Sequence, residues 1–84
     1  MKPARNMDAT LKGRMKTLGL NIAYQRKRKE LTQEELAEII GYNPRYLSRV
    51  EACCAKDDVV PSLDFIYKVV DALDISIHDL VSDK

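Results

Sequence analysis

The stretch EIIGYNPRYLSRVE, residues 38–51, decides the fold because one helical pattern ends and another begins within it. Gly41 can take the left-handed conformation that turns a chain sharply at a helix end. Asn43 suits the cap of the next helix, and Pro44 suits its first position, where the missing amide hydrogen costs nothing. Only Gly41, Tyr42 and Asn43 separate the two patterns. The sequence therefore predicts two short helices crossed at a steep angle, a helix-turn-helix.

The second of these helices, residues 44–52, is predicted to have one apolar side and one polar side. Because each residue advances about 100° around a helix, Leu47 and Val50 fall together on an inward side. The outward side is short, polar and doubly basic, and consists of Arg45, Ser48, Arg49 and Ala52. An arginine on a helix in the major groove can donate two hydrogen bonds to guanine, so Arg45 and Arg49 are predicted to read neighbouring base pairs. Taken alone, however, two outward arginines on a surface helix are usually solvated charge, and a helical repeat can use the same unit.

Gln33 and Asn43 stand at predicted helix starts. Unpaired amides and the positive end of the helix dipole attract phosphate there, and side-chain amides can add contacts. We expect these two residues to position a DNA backbone while the arginines give specificity.

Further start signals predict an all-α domain. Thr32 with Glu35, and Ser76 with Asp79, have the spacing of capping boxes, and another helix is expected after Ser62. The predicted helices are 17–29, 33–40, 44–52, 62–73 and 76–82, and hairpin signals are missing. Residues 1–16 are predicted as a partly ordered basic arm, because glycines at 13 and 19 weaken a continuous helix, and residues 17–84 as the domain.

Length and charge set limits on the class of protein. The 84 residues fit one small domain, and the net charge is only +1. The charge is uneven: residues 1–30 carry +7 (nine basic, two acidic), residues 31–50 carry −1 (two, three) and residues 51–84 carry −5 (three, eight). A basic front can orient a protein toward a polyanion, although such asymmetry is also common on surfaces that bind nothing.

Other chemistry finds little support in the sequence. No apolar run is long enough for a bilayer or a signal peptide, so we expect a cytoplasmic protein. Cys53 and Cys54 are adjacent, which fits neither a relaxed disulfide nor a zinc site, and reduced thiols are expected. His78 is the only histidine and has no carboxylate or cysteine cluster near it in sequence. We expect no enzyme activity, no metal and no cofactor.

Two segments carry a family resemblance. LGLNIAYQRKRKELTQEELAEIIGYNPRYLSRVE, residues 18–51, and PSLDFIYKVVDALDISIHDL, residues 61–80, resemble the lambda-repressor-like, or Cro/XRE-type, helix-turn-helix family. Members are compact five-helix DNA-binding domains, mostly of transcriptional regulators that bind operators as dimers. The resemblance implies that Gln33 holds a backbone phosphate and that Arg45 and Arg49 read bases. It also implies that the recognition helix begins over residues 43–46, with Asn43, Pro44, Arg45 and Tyr46.

The resemblance implies structural roles as well. Arg26 and Glu51 match the family's ion pair between the first and third helices, and Glu51 falls at the edge of the buried side of its helix, where an unpaired carboxylate is costly. Ala37 matches a small residue that permits close helix contact. The chain departs from the family in the length of its 52–60 segment, and in Glu30 and Asp74, which stand where members often carry glycine.

The sequence thus predicts a sequence-specific regulator of transcription, a repressor, that inserts residues 44–52 into the major groove of double-stranded DNA. One module buries little surface, so a homodimer on a pseudo-palindromic site is expected. Candidate dimer contacts are Met7, Leu11, Met15, Ile77 and Val81. The alternative is a protein-interaction module, such as the antitoxin of a toxin–antitoxin pair or a mobile-element accessory protein, and a regulatory protein partner fits either. The operator, the regulated genes and any effector are not specified by the sequence.

Overall fold

A computed structural model describes residues 9–52 and 59–82, and within these ranges the secondary structure is all-helical. In chain order the helices are α1 (Ala9–Arg28), α2 (Gln33–Ile40), α3 (Pro44–Ala52), α4 (Leu63–Leu73) and α5 (Ile77–Val81). The predicted all-α class with five helices is confirmed for the described part of the chain. Helices α2 to α5 begin within one residue of their predicted starts.

The first helix differs from the prediction. Helix α1 begins at Ala9 and not at residue 17, so the predicted start of this helix is wrong. A helical glycine costs only about 1 kcal/mol relative to alanine. That cost is offset by packing, because Met15 lies against the core and α1 contacts α5. Residues 1–8, the rest of the predicted arm, lie outside the described residues.

The predicted helix starts are confirmed by their caps. The Thr32 hydroxyl accepts a hydrogen bond from the Glu35 amide at 3.0 Å, and the Glu35 carboxylate accepts one from the Thr32 amide at 2.8 Å. Ser76 and Asp79 exchange the equivalent pair at 3.2 and 3.0 Å. Ser62 caps α4 by accepting from the Phe65 amide. Each cap stabilises its helix by about 1 kcal/mol, which matters for helices as short as α2 and α5.

The two positions where glycine was expected keep the conformation that glycine favours. Glu30 has a φ of 59° and Asp74 a φ of 55°, so both non-glycine residues are left-handed. Asp74 ends α4, and its backbone amide donates to the carbonyl oxygens of Val70 and Asp71. The family's chain reversals are therefore retained with different side chains.

One apolar core joins the helices. Helix α1 packs against α3, α4 and α5, while α2 packs against α3 and α4. The side chains with no exposed surface include Phe65 from α4 and Leu80 from α5; the others are Ile22, Leu36, Ala37, Leu47, Val69 and Leu73. In the part of the chain that the structure describes, a membrane-spanning helix is not found.

Candidate nucleic-acid interface

The turn between α2 and α3 sets the direction of α3. Gly41 has φ 75° and ψ 30°, a left-handed conformation, and the Tyr42 amide donates to the Ala37 carbonyl oxygen at 3.0 Å. The Asn43 side-chain oxygen accepts from the Arg45 amide at 2.8 Å, so Asn43 caps α3, and Pro44 is its first residue. The backbone conformation of the helix-turn-helix follows from these three neighbouring choices of residue.

Helix α3 presents its polar side to solvent. Arg45 and Arg49 are exposed and Ser48 is partly exposed, whereas Leu47 and Val50 are buried in the core. Asn43 and Pro44 are also exposed, at the start of the helix. The predicted inward and outward sides of α3 are therefore both present. The two guanidinium groups lie on a surface that no other described element covers.

Tyr46 has a different environment from the arginines beside it. Its ring stacks on the ring of Tyr42, with 5.5 Å between centroids, and forms a T-shaped pair with Phe65, with 5.1 Å between centroids. Burial, and secondarily the neighbouring Tyr42, raise the pKa of the Tyr46 hydroxyl. Tyr46, predicted to contact DNA, thus packs α3 against α4 and sits only partly at the surface.

A buried ionic network joins α1, α2 and α3. Arg26 Nε donates to Glu51 Oε2 at 2.8 Å, and Arg26 Nη2 donates to Glu51 Oε1 at 3.0 Å. Arg26 Nη1 donates to the Leu31 carbonyl oxygen at 2.7 Å, in the link between α1 and α2. The hydrogen bond to Glu51 raises the pKa of Arg26 in spite of its burial. Arg26 uses three nitrogens inside the protein, which makes it a structural residue.

Gln33 belongs to the same network. Its Nε2 donates to Glu51 Oε1 at 2.9 Å, and the side chain is only partly exposed. The sequence predicts that Gln33 contacts a phosphate, and the structure adds its contact with Glu51. Gln33 precedes Glu51 by 18 residues, so sequence spacing alone gives no sign of the contact.

Two further positioning residues were missed. A Cβ atom on Gly19 would overlap the Val50 carbonyl oxygen and lie 2.9 Å from that of Glu51, so glycine lets α1 approach the end of α3. Buried Asn21 donates from Nδ2 to the carbonyl oxygens of Leu80 and Ser82, at 2.8 and 3.1 Å. A glycine inside a helical pattern is the signal that would have indicated the first, since it can mark a close packing contact.

Some predicted features fall elsewhere. Cys53, Cys54 and most of the 52–60 segment lie outside the described residues. His78 is exposed in the first turn of α5. Within residues 9–52 and 59–82, no three histidine, cysteine or acidic side chains are grouped as a metal site would require.

The family of this chain follows from its similarity to known proteins. A family model described as helix-turn-helix matches residues 22–80, which include α2, α3 and the turn between them. The chain belongs to the Cro/C1-type helix-turn-helix family. Members of this family are DNA-binding domains of transcriptional regulators, so the predicted family is confirmed.

Individual relatives of this helix-turn-helix chain are regulators. It is 37% identical over 67 residues to the HTH-type transcriptional regulator SinR of Bacillus licheniformis, and the match covers 80% of this chain and 58% of SinR. The chain thus spans little more than half the length of that curated relative.

Solved structures of similar fold also come from regulatory proteins. The restriction-modification controller protein C.AhdI from Aeromonas hydrophila superposes with a TM-score of 0.70 at 32% identity, over 79% of this chain and 94% of that one. SinR in its complex with SinI gives a TM-score of 0.68 at 36% identity, over 79% of this chain and 61% of that one.

Proposed function

We propose that this chain is a cytoplasmic, sequence-specific regulator of transcription, a repressor, which inserts α3 into the major groove of double-stranded DNA. The observation that carries the proposal is the outward side of α3, where Arg45 and Arg49 are exposed one turn apart behind the Gly41 turn. The role is one of binding, since occupation of an operator blocks access to the same DNA.

The residues of this surface have different roles in the proposal. Arg45 and Arg49 donate to the O6 and N7 atoms of guanine in neighbouring base pairs, and each bidentate pair discriminates by about 1–3 kcal/mol. Ser48, between them on the same side, can hydrogen-bond to several base edges. Asn43 and Pro44 bring the start of α3 close to the groove wall, and Gln33 at the start of α2 donates to a phosphate.

The proposed DNA complex contains two copies of the chain on a pseudo-palindromic site, with half-sites about one helical turn apart. A single helix buries too little surface for tight specific binding. Of the candidate dimer contacts, Met15 and Ile77 are partly buried against the core, and Met7 lies outside the described residues. Leu11 and Val81 remain exposed, at the end of the domain formed by α1 and α5.

A protein partner is the second candidate role. The observation that favours it is that SinR, whose structure matches 79% of this chain, is known in complex with the protein SinI. The acidic half of this chain, residues 51–84, would supply the contact surface. Salt distinguishes the two roles, because binding to DNA weakens steeply with salt in proportion to the phosphates neutralised by basic residues.

The test begins with selection of bound fragments from a random pool of DNA duplexes, which gives the preferred sequence and its symmetry. Arg45→Ala and Arg49→Ala are then compared with wild type on the selected duplex and on a random duplex. Each is expected to lose about tenfold or more on the selected duplex and much less on the random one. Lys16→Ala is the control, since Lys16 is an exposed basic residue on α1, outside α3 and the proposed dimer contacts, and should change both affinities equally. Equal losses on both duplexes for the α3 variants would show that these arginines do not read bases.

A further inference from the structure

The network around Glu51 connects the buried ion pair to the residue proposed to hold a phosphate. Glu51 is 8% exposed, and its Oε1 accepts two hydrogen bonds, one from Arg26 and one from Gln33. Arg26 also holds the Leu31 carbonyl oxygen, two residues before Gln33. The same guanidinium therefore fixes both the backbone that leads into α2 and the carboxylate that contacts the first side chain of α2.

The chemistry of the contact determines which way the Gln33 amide faces. An ionised carboxylate only accepts hydrogen bonds, so the amide nitrogen of Gln33, and not its oxygen, must face Glu51. One N–H of Nε2 is used in this bond. The second N–H has no acceptor among residues 9–52 and 59–82, and it is the group that a phosphate oxygen can accept from.

We infer that Glu51, held in place by Arg26, is a positioning residue for DNA binding: it fixes the Gln33 amide with one N–H inward and the other directed to a backbone phosphate. This inference rests on the proposed function. Without Glu51 the Gln33 amide can rotate and present its oxygen to the phosphate, which repels it. The buried pair then serves binding as well as stability.

A double-mutant cycle on DNA affinity tests the inference. Gln33→Ala, Glu51→Leu and the double variant are measured on the selected duplex and on a random duplex, under conditions where NMR spectra show that every variant is folded. Gln33→Ala is expected to weaken both duplexes by about tenfold, since it removes a hydrogen bond to a charged group. Glu51→Leu leaves the Gln33 amide without its acceptor, so it should give a similar loss, and the double variant should bind no more weakly than Gln33→Ala alone.

Glu35→Gln is the charge-matched control. It removes one negative charge at the start of α2, the helix that carries Gln33, where Glu35 accepts from the Thr32 amide. The contact between Gln33 and Glu51 stays intact. Any electrostatic gain from losing a carboxylate near DNA appears in both variants, so the difference between them isolates the orientation of Gln33. The inference predicts a loss with Glu51→Leu that Glu35→Gln does not show.

The orientation of Gln33 is also visible without DNA. In the free wild-type protein the side-chain amide protons of Gln33 should exchange with solvent more slowly than those of exposed Asn43, and Glu51→Leu should remove that difference. If Glu51→Leu is too unstable for affinity work, the wild-type comparison serves alone. Exchange of the Gln33 amide protons as fast as those of Asn43 would overturn the inference.

The affinity results separate two kinds of failure. If the losses for Gln33→Ala and Glu51→Leu multiply in the double variant, or if Gln33→Ala has no effect on either duplex, the inference is wrong while DNA binding through Arg45 and Arg49 stands. If the wild-type chain selects no duplex at all, the proposed function fails, and the phosphate role of Gln33 fails with it.

Discussion

The two ends of α3 are both held by carboxylates that accept short hydrogen bonds, but the surroundings differ. At the carboxyl end, Glu51 is buried with Arg26 and Gln33, at 2.8 to 3.0 Å. Beside the amino end, exposed Asp64 accepts from the Tyr42 hydroxyl at 2.6 Å and from Lys68 at 3.3 Å. The shortest of these hydrogen bonds, the one from Tyr42 at 2.6 Å, would rank the exposed network as the stronger.

Burial reverses that ranking. Removing one member of a buried ion pair leaves a charge without a partner in a poorly hydrated place, whereas water replaces the lost partner of an exposed one. The amino end of α3 is instead secured by rings, since Tyr42 and Tyr46 both form T-shaped pairs with Phe65, with 5.0 and 5.1 Å between ring centroids. Helix α3 is therefore fixed by charge at one end and by aromatic packing at the other.

The greatest loss of stability is expected at the buried carboxyl end of α3. Glu51→Ala leaves the Arg26 guanidinium, 7% exposed, without its carboxylate, and should lower the free energy of unfolding by about 3 kcal/mol. Arg45→Ala, which removes an exposed charge from the same helix, should change it by less than about 0.5 kcal/mol. Urea unfolding followed by circular dichroism measures both. A loss below about 1 kcal/mol for Glu51→Ala would contradict the importance given to the buried network.

A smaller effect is expected from the close approach of α1 to the same end of α3. Gly19→Ala places a Cβ against the carbonyl oxygens of Val50 and Glu51, and should cost about 1–3 kcal/mol because backbone must move. Gly13→Ala is the matched control in the same helix, where no atom lies within 4 Å of the added Cβ. That substitution should stabilise by about 0.5–1 kcal/mol. Thermal unfolding of the two variants should therefore shift in opposite directions, and a shift in the same direction would argue against the tight contact.

A still smaller effect is expected at exposed Asp64, beside the amino end of α3, where stability should depend on pH. The hydrogen bond from Tyr42, and then that from Lys68, lower the pKa of Asp64 from its ordinary value of 3.8. A carboxylate with a lowered pKa in the folded state contributes stability above pH 3.8, which is lost as the pH falls through the folded-state pKa. Asp64→Asn should consequently flatten the dependence of stability on pH below that value, with a small loss of stability at neutral pH and no loss at the acid end.

Asp71→Asn is the control for the acid measurement, because Asp71 is an exposed carboxylate on α4, as Asp64 is. Unfolding free energies are compared between pH 5 and pH 2, a window of about three units around the ordinary carboxyl range. Identical curves for wild type and Asp64→Asn would remove the contribution assigned to the Tyr42 contact.

Much of the fold could be predicted because its signals are local. The caps at Thr32, Ser62 and Ser76 lie within three residues of the amides they bind, and the sides of α3 follow from helical spacing alone. The start of α1 was misplaced because intrinsic propensity was given more weight than packing. Gly13 and Gly19 both weaken an isolated helix, and the contacts of Met15 that offset this are made with other helices.

The turn at Gly41, the capped start of α3 and the outward position of Arg45 and Arg49 follow from the amino-acid sequence, because each depends on residues within a few positions of one another. The contact of Gln33 with Glu51 and the approach of Gly19 to the carboxyl end of α3 are seen only in the folded protein. Those contacts join residues far apart in the chain, and their geometry depends on how closely α1, α2 and α3 pack, which side-chain periodicity does not encode.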